Sequence, residues 1–311
     1  MITAAQRQRI RELEVRALRL VSGRLMGEWA SNVRGTGLEF RDLREYVIGD
    51  DVRRLDWKAT ARSGRPQLRQ FSEERQQEIW FALDLSASMT PAKAALAREV
   101  LAVLAWAAVR QGDPFGIVGF TDRIEFTRRP ARGEAQLWAA VEDLLATRPA
   151  SARTSFDALN AFALGTLSRR ATLVIVSDFE GGADATDASA AADVSEASDS
   201  PDPIAPELGA LARRHEAIGL RISDPAERGE PAAGPILLAP CVDGESGERA
   251  WIDPVSSRAR RRLAASALES DLAIEAALRR AGVWYCPLSV GSDFIPPLMR
   301  FFHRRTELRG A

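Results

Sequence analysis

Five short apolar runs constrain the fold of this chain more than any other feature of its sequence. They occupy residues 79–83, 116–120, 172–176, 218–222 and 283–287. Short, almost continuous apolar runs are typical of parallel strands in the middle of a sheet, because both faces of such strands are buried. Segments with helical spacing separate these runs, so strand and helix alternate along the chain. The alternation predicts an α/β fold with a doubly wound, mostly parallel sheet of the Rossmann type.

The predicted helices lie between these strands and have clear end signals. They cover residues 91–112, 133–147, 156–170, 206–214 and 257–282. Thr90 and Pro91 form a typical N-cap and first-turn pair, and Gly112 is a typical residue for the end of a helix. We therefore expect the main domain to cover residues 79–303, followed by a C-terminal tail at 304–311.

Residues 1–78 differ from the main domain in their pattern. Residues 4–21 combine many charges with apolar side chains at helical spacing, which predicts an N-terminal amphipathic helix. Residues 35–78 are irregularly spaced and punctuated by glycine, which indicates short strands and turns. We expect this N-terminal helix and β-rich extension to be an addition that lies on the core of the main domain.

Two insertions interrupt the alternation of strand and helix. Residues 181–207 consist mainly of Gly, Ala, Asp, Ser and Pro, with acidic but no basic side chains. Such a segment buries too little apolar surface to fold, so we expect a disordered acidic loop. Residues 224–256 contain two apolar stretches, 235–239 and 250–252, on either side of the turn-rich residues 243–247. This pattern predicts a β-hairpin insertion.

The composition argues against several classes of protein. The formal net charge is -1, so no overall field attracts nucleic acid or an anionic membrane. Cys241 and Cys286 are the only cysteines, too few for a disulfide framework or a cysteine-rich zinc site. The N-terminus lacks a signal-peptide core, and the apolar run at 101–109 is far shorter than the roughly 20 residues of a membrane-spanning helix. We expect a cytoplasmic protein without an integral membrane segment.

Polar side chains follow two of the apolar runs at the points where the predicted strands end. Asp84, Ser86 and Ser88 come directly after the first run, and Asp178 comes shortly after the third. In open parallel sheets, ligands bind outside the carboxyl ends of the strands, so these side chains should meet at one edge. Thr154, at the start of a predicted helix, adds another hydroxyl. The sequence therefore predicts a site that contains only oxygen ligands.

Carboxylate and hydroxyl oxygens suit a hard divalent ion such as Mg²⁺ or Mn²⁺ better than zinc. Because the protein supplies few charges, such an ion keeps a coordination position that a carboxylate from another protein can take. The predicted site is then a device for recognition. The alternative interpretation is that Asp84 only turns the loop, and that Ser86 or Ser88 only caps the following helix.

A resemblance to a known family extends this interpretation. The segments 35–46 (GTGLEFRDLREY) and 49–62 (GDDVRRLDWKATAR) resemble the hallmark of the bacterial domain of unknown function 58 family. Residues 84–89 (DLSASM) resemble that family's von Willebrand factor A metal-ion-dependent adhesion site, or MIDAS. Similarity continues at Asp224–Pro225 and Phe301–Phe302. The resemblance implies a von Willebrand factor A-like main domain.

The resemblance also implies a function. Proteins of this family are typically found beside MoxR-type AAA+ ATPases, and are thought to help them act on client proteins or assemble complexes. It implies a metal-dependent protein-binding module, accessory to a MoxR-type ATPase that supplies an acidic residue to the metal. This chain departs from the pattern at Arg153, where a glycine commonly precedes the threonine, and at Phe179, where many A domains have glycine. Many relatives also have membrane segments, which we do not expect here.

Two alternative functions remain open. The first is a metal-dependent hydrolase at the Asp84, Ser86 and Ser88 site, with Asp84 or Ser86 as the nucleophile. Only His215 and His303 are available as imidazole bases, and no Walker A loop for ATP is present. We therefore do not expect an enzyme.

The second alternative is nucleic-acid binding through an arginine cluster. The cluster comprises Arg258, Arg260, Arg261 and Arg262, at the start of a predicted helix where positive charge is mildly unfavourable. A partner-binding patch is the more specific interpretation, and a solvated face is the simpler one. No nucleic-acid-binding module accompanies the cluster, so we do not expect a nucleic-acid partner.

The charges of the hallmark segment also have two interpretations. They are Arg41, Asp42, Arg44, Glu45, Asp50, Asp51, Arg53, Asp56 and Arg62. A buried ion-pair network that fastens the N-terminal region to the core is favoured over a docking surface, because buried charges need partners.

Overall fold

The computed structural model describes seven parts of the chain. They are residues 39–47, 55–72, 78–180, 204–228, 239–242, 249–252 and 257–310. The predicted N-terminal helix at 4–21 and most of the predicted acidic loop, 181–203, lie outside the described residues. No helix in the described ranges is both long and apolar enough to cross a membrane.

The N-terminal extension contains an antiparallel pair of strands with a short helix between them. Strand β1 covers Glu39–Glu45, helix α1 covers Trp57–Ser63 and strand β2 covers Gln67–Ser72. The carboxylate of Asp56 caps α1 by accepting from the backbone N–H groups of Lys58 and Ala59. Such a cap satisfies donors that the first turn of a helix leaves unpaired.

The remaining strands extend from β3 to β10. In chain order they are β3 (Glu78–Asp84), β4 (Phe115–Phe120), β5 (Ile124–Ala131), β6 (Ala171–Ser177), β7 (Glu216–Ser223), β8 (Ala239–Val242), β9 (Arg249–Ile252) and β10 (Trp284–Ser289). Six of them form one sheet in the order β10-β7-β6-β3-β4-β5. Strands β8 and β9 pair separately and antiparallel, within the segment where a hairpin is predicted.

The prediction of a mostly parallel α/β sheet is confirmed. All neighbours in the six-stranded sheet pair parallel except β4 and β5. Each of the five apolar runs lies in a parallel strand. The antiparallel edge strand β5 was not predicted, because its side chains are only half-buried and alternate in exposure around the arginines and Pro130. An edge strand of this kind lacks the continuous apolar run that marks a central strand.

Helices cover both faces of the sheet. They are α2 (Pro91–Gln111), α3 (Glu134–Ala146), α4 (Phe156–Thr166), α5 (Ile204–Arg214), α6 (Ser257–Ala281) and α7 (Ile295–Gly310), with a 3-10 helix at Pro225–Arg228. One apolar core contains residues of α2, α3 and α7, and a second contains residues of α4, α5 and α6. The two cores lie on opposite faces of β3, because Phe81 belongs to the first and Trp80 to the second.

Several helices differ from the prediction. Helix α5 begins at Ile204, inside the segment predicted as a disordered loop at 181–207, because Ile204 and Leu208 pack into the second core. Helix α4 ends at Thr166 and not at residue 170, because Leu167 adopts an extended conformation and buries its side chain. Helix α7 was not predicted, and it runs through residue 304, where a tail was expected to begin, because its apolar face packs on the core through Leu298 and Phe302. By contrast, α2 has its predicted ends, with Thr90 as N-cap and Gly112 as the left-handed C-cap.

Candidate metal-binding site

The chain changes direction across the sheet between β3 and β6. Strand β3 lies between β4 and β6. The chain leaves β3 towards β4 on one side, and it leaves β6 towards β7 on the other side. The carboxyl ends of β3 and β6 therefore border a crevice, which is the usual ligand position in an open α/β sheet. Asp84 is the last residue of β3, and Asp178 directly follows β6.

Asp84 is held rigidly at this crevice. Its side chain is buried, and its Oδ1 accepts a hydrogen bond of 2.9 Å from the backbone N–H of Ser86. The hydroxyl of Ser177 donates to its Oδ2 across 2.6 Å. Ser177 was not among the predicted site residues. It could be recognised only once β6 was known to be the neighbour of β3.

The two predicted serines connect the loop after β3 to the residue after β6. The hydroxyls of Ser86 and Ser88 are 3.0 Å apart, and Ser88 donates to Oδ1 of Asp178 across 3.3 Å. The backbone N–H of Glu180 donates to the same oxygen across 3.1 Å. The structure therefore brings Asp84, Ser86, Ser88 and Asp178 into one cluster of oxygen atoms, which we call the acid–hydroxyl cluster.

Thr154 lies in a loop that contacts the acid–hydroxyl cluster through its backbone. The carbonyl of Ala152 accepts from the N–H of Ala87, which lies between the two cluster serines, across 2.9 Å. The Thr154 side chain is buried, and its hydroxyl has no hydrogen-bond partner in the described part of the chain. A buried hydroxyl without a partner is unfavourable, and such groups are often satisfied by an ion or a ligand.

Burial and like charge together change the acidity of Asp84. Burial, followed by the charge of Asp178, raises the pKa of Asp84 to about 7, although hydrogen bonds from Ser177 and Ser86 oppose the shift. The ionised form of Asp84 is therefore penalised in this environment. A cation beside the two carboxylates would favour the ionised form, because opposite charge lowers a carboxyl pKa.

Lys93 is an unpredicted member of this region. It projects from the first turn of α2, and its ammonium is 3.0 Å from Asp178 Oδ2 and 2.6 Å from Glu227 Oε1. The ammonium also donates to the carbonyl of Ser88 across 3.3 Å. Burial acts to lower the pKa of Lys93, but Asp178, Glu180 and Glu227 outweigh burial and raise it, so Lys93 stays charged. A cation in the first turn of an apolar helix opposes the helix dipole, which was the available sequence signal.

Arg221 fixes the backbone on the other side of Asp178. Its side chain is buried in β7, and its Nε donates to the carbonyl oxygen of Asp178 across 3.1 Å. The guanidinium forms an ion pair with Asp271 of α6 and a longer one, 3.4 Å, with Glu180. An arginine inside a predicted central strand requires such partners. Its position within the run 218–222 was the sequence signal for this role.

Phe179, which directly follows Asp178, has a backbone conformation that usually favours glycine. Its φ is 56°, which lies in the left-handed region and costs roughly 1–3 kcal/mol for a bulky residue. The buried ring stacks on Phe156 at a centroid distance of 5.4 Å. Gly219 leaves room for this ring, since a Cβ at Gly219 would lie 3.0 Å from Phe179 Cζ. The stack connects the loop after β6 to the start of α4, next to Thr154.

The arginine cluster lies at the start of α6. The side chains of Arg258, Arg261 and Arg262 are exposed, and the side chain of Arg260 lies outside the described residues. Exposure is compatible both with a solvated face and with a partner-binding patch. The partner-binding role therefore stays a prediction.

The two histidines lie away from the acid–hydroxyl cluster. His215 is buried at the amino end of the sheet, where its Nδ1 accepts from the N–H of Ala171, the first residue of β6. Burial, followed by the charge of Arg214, lowers the pKa of His215. His303 lies on α7, mainly exposed, 3.3 Å from Glu307. Neither histidine is placed to serve as a base at the carboxyl end of β3.

Part of the hallmark segment is described, and its charges are not deeply buried there. Glu45 and Arg65 form an exposed ion pair of 2.8 Å, and Arg62 is exposed. Asp56 is half-buried and caps α1. The predicted buried network also involves charged residues within 41–44 and 50–53, whose side chains lie outside the described residues.

The donor set fits a hard divalent ion in its chemistry. Asp84 and Asp178 provide carboxylate oxygens, and Ser86, Ser88 and Thr154 provide hydroxyls. Within the described ranges, no group of three or more His, Cys, Asp and Glu side chains is arranged to hold a metal. The hydroxyl of Thr154, buried and without a partner in the described chain, is the observation that favours the fit.

The fold and this cluster define a mixed α/β protein. Its acids and hydroxyls lie at the crevice between β3 and β6 in a mostly parallel sheet. Comparison with known sequences assigns the chain to a family. A family described as "Protein of unknown function DUF58" matches residues 42–272, which is most of the chain. The chain belongs to this family.

Relatives and a solved structure are similar to this chain. Uncharacterized proteins of Mycobacterium tuberculosis and Mycobacterium bovis are each 32% identical over 314 residues, covering 97% of this chain and 90% of the relative. The crystal structure of a conserved hypothetical protein, BatB from Bacteroides thetaiotaomicron, is 12% identical with a TM-score of 0.41. That similarity covers 74% of this chain and 99% of the BatB chain.

Proposed function

We propose that this protein is a metal-ion-dependent protein-binding module with a von Willebrand factor A-like main domain. One Mg²⁺ or Mn²⁺ would be held by Asp84, Ser86, Ser88, Thr154 and Asp178. The observation that carries the proposal is the convergence of four of these side chains at the crevice between β3 and β6. The buried hydroxyl of Thr154 supports it independently.

Each group has a distinct part in the proposed site. Asp84 and Asp178 provide negative charge, and the serine and threonine hydroxyls provide neutral oxygens. A bound ion would offer a coordination position to a carboxylate of another protein. Because Ser177 and Arg221 hold the two aspartate positions from within the sheet, the site is formed before the partner arrives. Such preorganisation reduces the entropy lost on binding.

Several contacts favour binding over hydrolysis. A serine nucleophile needs a neighbouring base that accepts its proton. The Ser86 hydroxyl contacts the hydroxyl of Ser88 and the carboxylate of Asp84, and a metal bound by Asp84 would engage the lone pairs that a base needs. The nearby amine of Lys93 is kept protonated by three carboxylates. His215 is buried at the amino ends of the strands, at the opposite end from the acid–hydroxyl cluster. We therefore propose recognition, with no chemical step, as the role of this site.

The proposed partner is a MoxR-type AAA+ ATPase, for which this chain would act as an accessory or adaptor in complex assembly or maturation. Membership of the DUF58 family supports this proposal through the association that the hallmark segment implies. The partner would present an acidic side chain to the metal. The exposed arginines Arg258, Arg261 and Arg262 would add electrostatic attraction to an acidic partner surface.

Calorimetric titration with Mg²⁺ and Mn²⁺ tests the metal site. We expect a single site in the wild-type protein and no binding heat in Asp84→Asn, which keeps the shape of the side chain and removes its charge. Asp122→Asn is the matched control, because Asp122 is paired with Arg123 at the surface. Equal binding by the wild type and Asp84→Asn would contradict the proposed site.

Binding to a purified MoxR-type ATPase from the same organism tests the partner. Immobilised wild-type protein should bind the ATPase in Mg²⁺ and release it in excess EDTA. Asp84→Asn should bind weakly in both conditions. Retention of the ATPase in EDTA would show that the metal does not mediate the interaction.

A further inference from the structure

We infer that the Lys93 ammonium is a tethered internal cation that keeps the acid–hydroxyl cluster assembled when no metal ion is bound. The inference concerns the folded site itself, so it does not depend on the protein binding a metal. It assigns a site role to a residue that local sequence reasoning treats as an ordinary helix lysine.

The contacts of Lys93 join three separate segments. Its ammonium donates to the carbonyl of Ser88 after β3, and it pairs with Asp178 after β6 across 3.0 Å. It also pairs with Glu227 of the 3-10 helix after β7 across 2.6 Å, and lies 3.7 Å from Glu180. All three segments follow the carboxyl ends of parallel strands, on the same side of the sheet. One cation therefore connects the three loops that surround the crevice.

Burial makes this arrangement specific. The side chain of Lys93 is 1% exposed and that of Asp178 is 0% exposed. Glu180 and Glu227 are partly exposed, at 43% and 38%. Asp84 adds a further buried carboxyl group in the same cluster. Without a cation, neighbouring carboxylates would repel one another in a region with little water, and such repulsion is strong at low effective dielectric.

A second buried cation beside Asp178, Arg221, has a different role. Arg221 donates to the backbone carbonyl of Asp178, and its ion pairs are with Asp271 and Glu180. It therefore neutralises charge on the α6 side, while Lys93 faces the carboxylate of Asp178 directly. A fixed ammonium in this position means that the loops need no metal ion to stay together. Metal binding would then serve recognition and not folding.

The first test compares thermal unfolding in EDTA for the wild type and Lys93→Met. Lys58→Met is the matched control, since Lys58 is the only other lysine of the chain and is exposed. In EDTA the wild type should unfold in one cooperative transition, and Lys93→Met should have a Tm lower than the wild type by roughly 5 °C or more, as for loss of one partner of a buried ion pair. Equal Tm values for the wild type and Lys93→Met in EDTA would overturn the inference.

A second pair of variants separates charge from packing. Glu227→Gln removes one carboxylate that faces the ammonium. If Lys93 acts as a cation, Glu227→Gln should restore part of the Tm lost in Lys93→Met, while lowering the Tm of the wild type. If Lys93 only fills space, the two substitutions will lower Tm additively. Additivity would contradict the role as an internal cation.

Chemical labelling keeps the inference testable if Lys93→Met does not fold. In EDTA, an amine-reactive reagent should modify Lys58 of the native wild-type protein quickly and leave Lys93 unmodified, as measured by peptide mass spectrometry. Equal labelling rates at the two lysines in EDTA would show that the ammonium is not held in the cluster. Metal titration of the wild type tests the proposed function separately, because the labelling result in EDTA does not depend on it.

Discussion

The ammonium of Lys93 and the carboxylate of Asp178 lie 3.0 Å apart, and both side chains are almost completely buried. The other oxygen of Asp178 accepts from the Ser88 hydroxyl and from the N–H of Glu180. Asp178 therefore has a fixed orientation before any ligand binds. Binding sites supported in this way from rigid strands and helices keep their geometry better than sites on isolated loops.

Replacing Asp84 by Asn should stabilise the metal-free protein at pH 8. Its pKa is raised from 3.8 to about 7, so the folded state holds this proton more tightly than the unfolded chain does. The contribution of Asp84 to stability is present below about pH 4 and is lost as the pH rises through about 7. We expect Asp84→Asn to raise the free energy of unfolding at pH 8 by on the order of 1–3 kcal/mol.

Denaturant unfolding at pH 5 and pH 8 in EDTA measures this effect. The gain should be smaller at pH 5, where the wild-type carboxyl is mostly protonated. Asp122→Asn is the control, since the hydrogen bond from Arg123 lowers the pKa of Asp122 and an amide there should give no gain. A loss of stability in Asp84→Asn at pH 8 would show that the ionised carboxylate is favourable in the metal-free site.

Replacing Thr154 by Val should separate metal binding from folding. The valine keeps the shape of threonine and removes a buried hydroxyl that has no partner in the described chain, so stability in EDTA should stay the same or rise slightly. Mg²⁺ affinity should fall by roughly tenfold or more, as when support of a metal site is lost. Calorimetric titration and thermal unfolding in EDTA are the measurements.

Thr121 provides the contrast for this experiment. It is buried, and its hydroxyl donates to Glu125 across 2.7 Å. Thr121→Val should lower stability by about 1 kcal/mol and leave the Mg²⁺ affinity unchanged. If both valine variants behave alike, Thr154 has no special relation to a metal.

Adding a methyl group at Gly219 should disturb the loop after β6. A Cβ there would lie 3.0 Å from Phe179 Cζ and 3.4 Å from Val283. We expect Gly219→Ala to lower the free energy of unfolding by about 1–3 kcal/mol, as overpacking usually does. Mg²⁺ affinity should fall as well, because Phe179 directly follows Asp178.

Gly165 is the matched control for the change at Gly219. It lies in α4, and nothing would be within 4 Å of an added Cβ. Gly165→Ala should stabilise the protein by roughly 0.5–1 kcal/mol, since alanine loses less entropy than glycine in a helix. Chemical denaturation of both variants gives the comparison, and an unchanged or increased stability of Gly219→Ala would be inconsistent with the packing described.

The ion pair between Arg305 and Glu216 should matter for stability and not for metal binding. The two side chains are buried at the amino end of the sheet, on α7 and β7, and Arg305 also lies over the ring of Trp284. Arg305→Met leaves a buried carboxylate without this partner and should lower stability by about 3–5 kcal/mol. The exposed neighbour Arg304, changed to Met, should have little effect. The Mg²⁺ affinity of folded Arg305→Met should match that of the wild type, because the acid–hydroxyl cluster lies at the carboxyl ends of the strands, away from Arg305.

Reversing the charge of the exposed arginines should weaken partner binding alone. In the triple variant Arg258→Glu, Arg261→Glu and Arg262→Glu, the ATPase affinity should fall by roughly tenfold and its dependence on salt should decrease. The Mg²⁺ titration should be unchanged. Arg169→Glu with Arg170→Glu is the control for a general charge effect, since both side chains are exposed at a different part of the fold. Unchanged ATPase binding by the triple variant would show that the arginine cluster is only a solvated face and does not contact the partner.

Much of the sheet could be predicted from local patterns. The apolar runs located the parallel strands, and Thr90, Pro91 and Gly112 located both ends of α2. Strand β5 and helix α7 were missed for a common reason. Each is partly exposed and mixes arginines and prolines with apolar residues, so its pattern becomes clear only through the surface against which it packs.

The candidate site could be predicted only in part. Asp84, Ser86, Ser88 and Asp178 each follow a buried strand, and strand ends are visible in the sequence. Ser177 and Lys93 were missed as site residues, because their roles depend on which strands are neighbours. Local sequence patterns do not predict that β6 lies beside β3.

The sequence by itself determined where the buried strands begin and end, because burial on both faces demands unbroken apolar side chains. It also determined which acids and hydroxyls stand at the strand ends. Only the tertiary structure decided that β3 and β6 are adjacent, and therefore which of these groups meet. It also decided that Lys93 turns inward, because the carboxylates that attract its ammonium come from segments far away in the chain. Strand order and charge pairing depend on long-range contacts, which short sequence patterns do not contain.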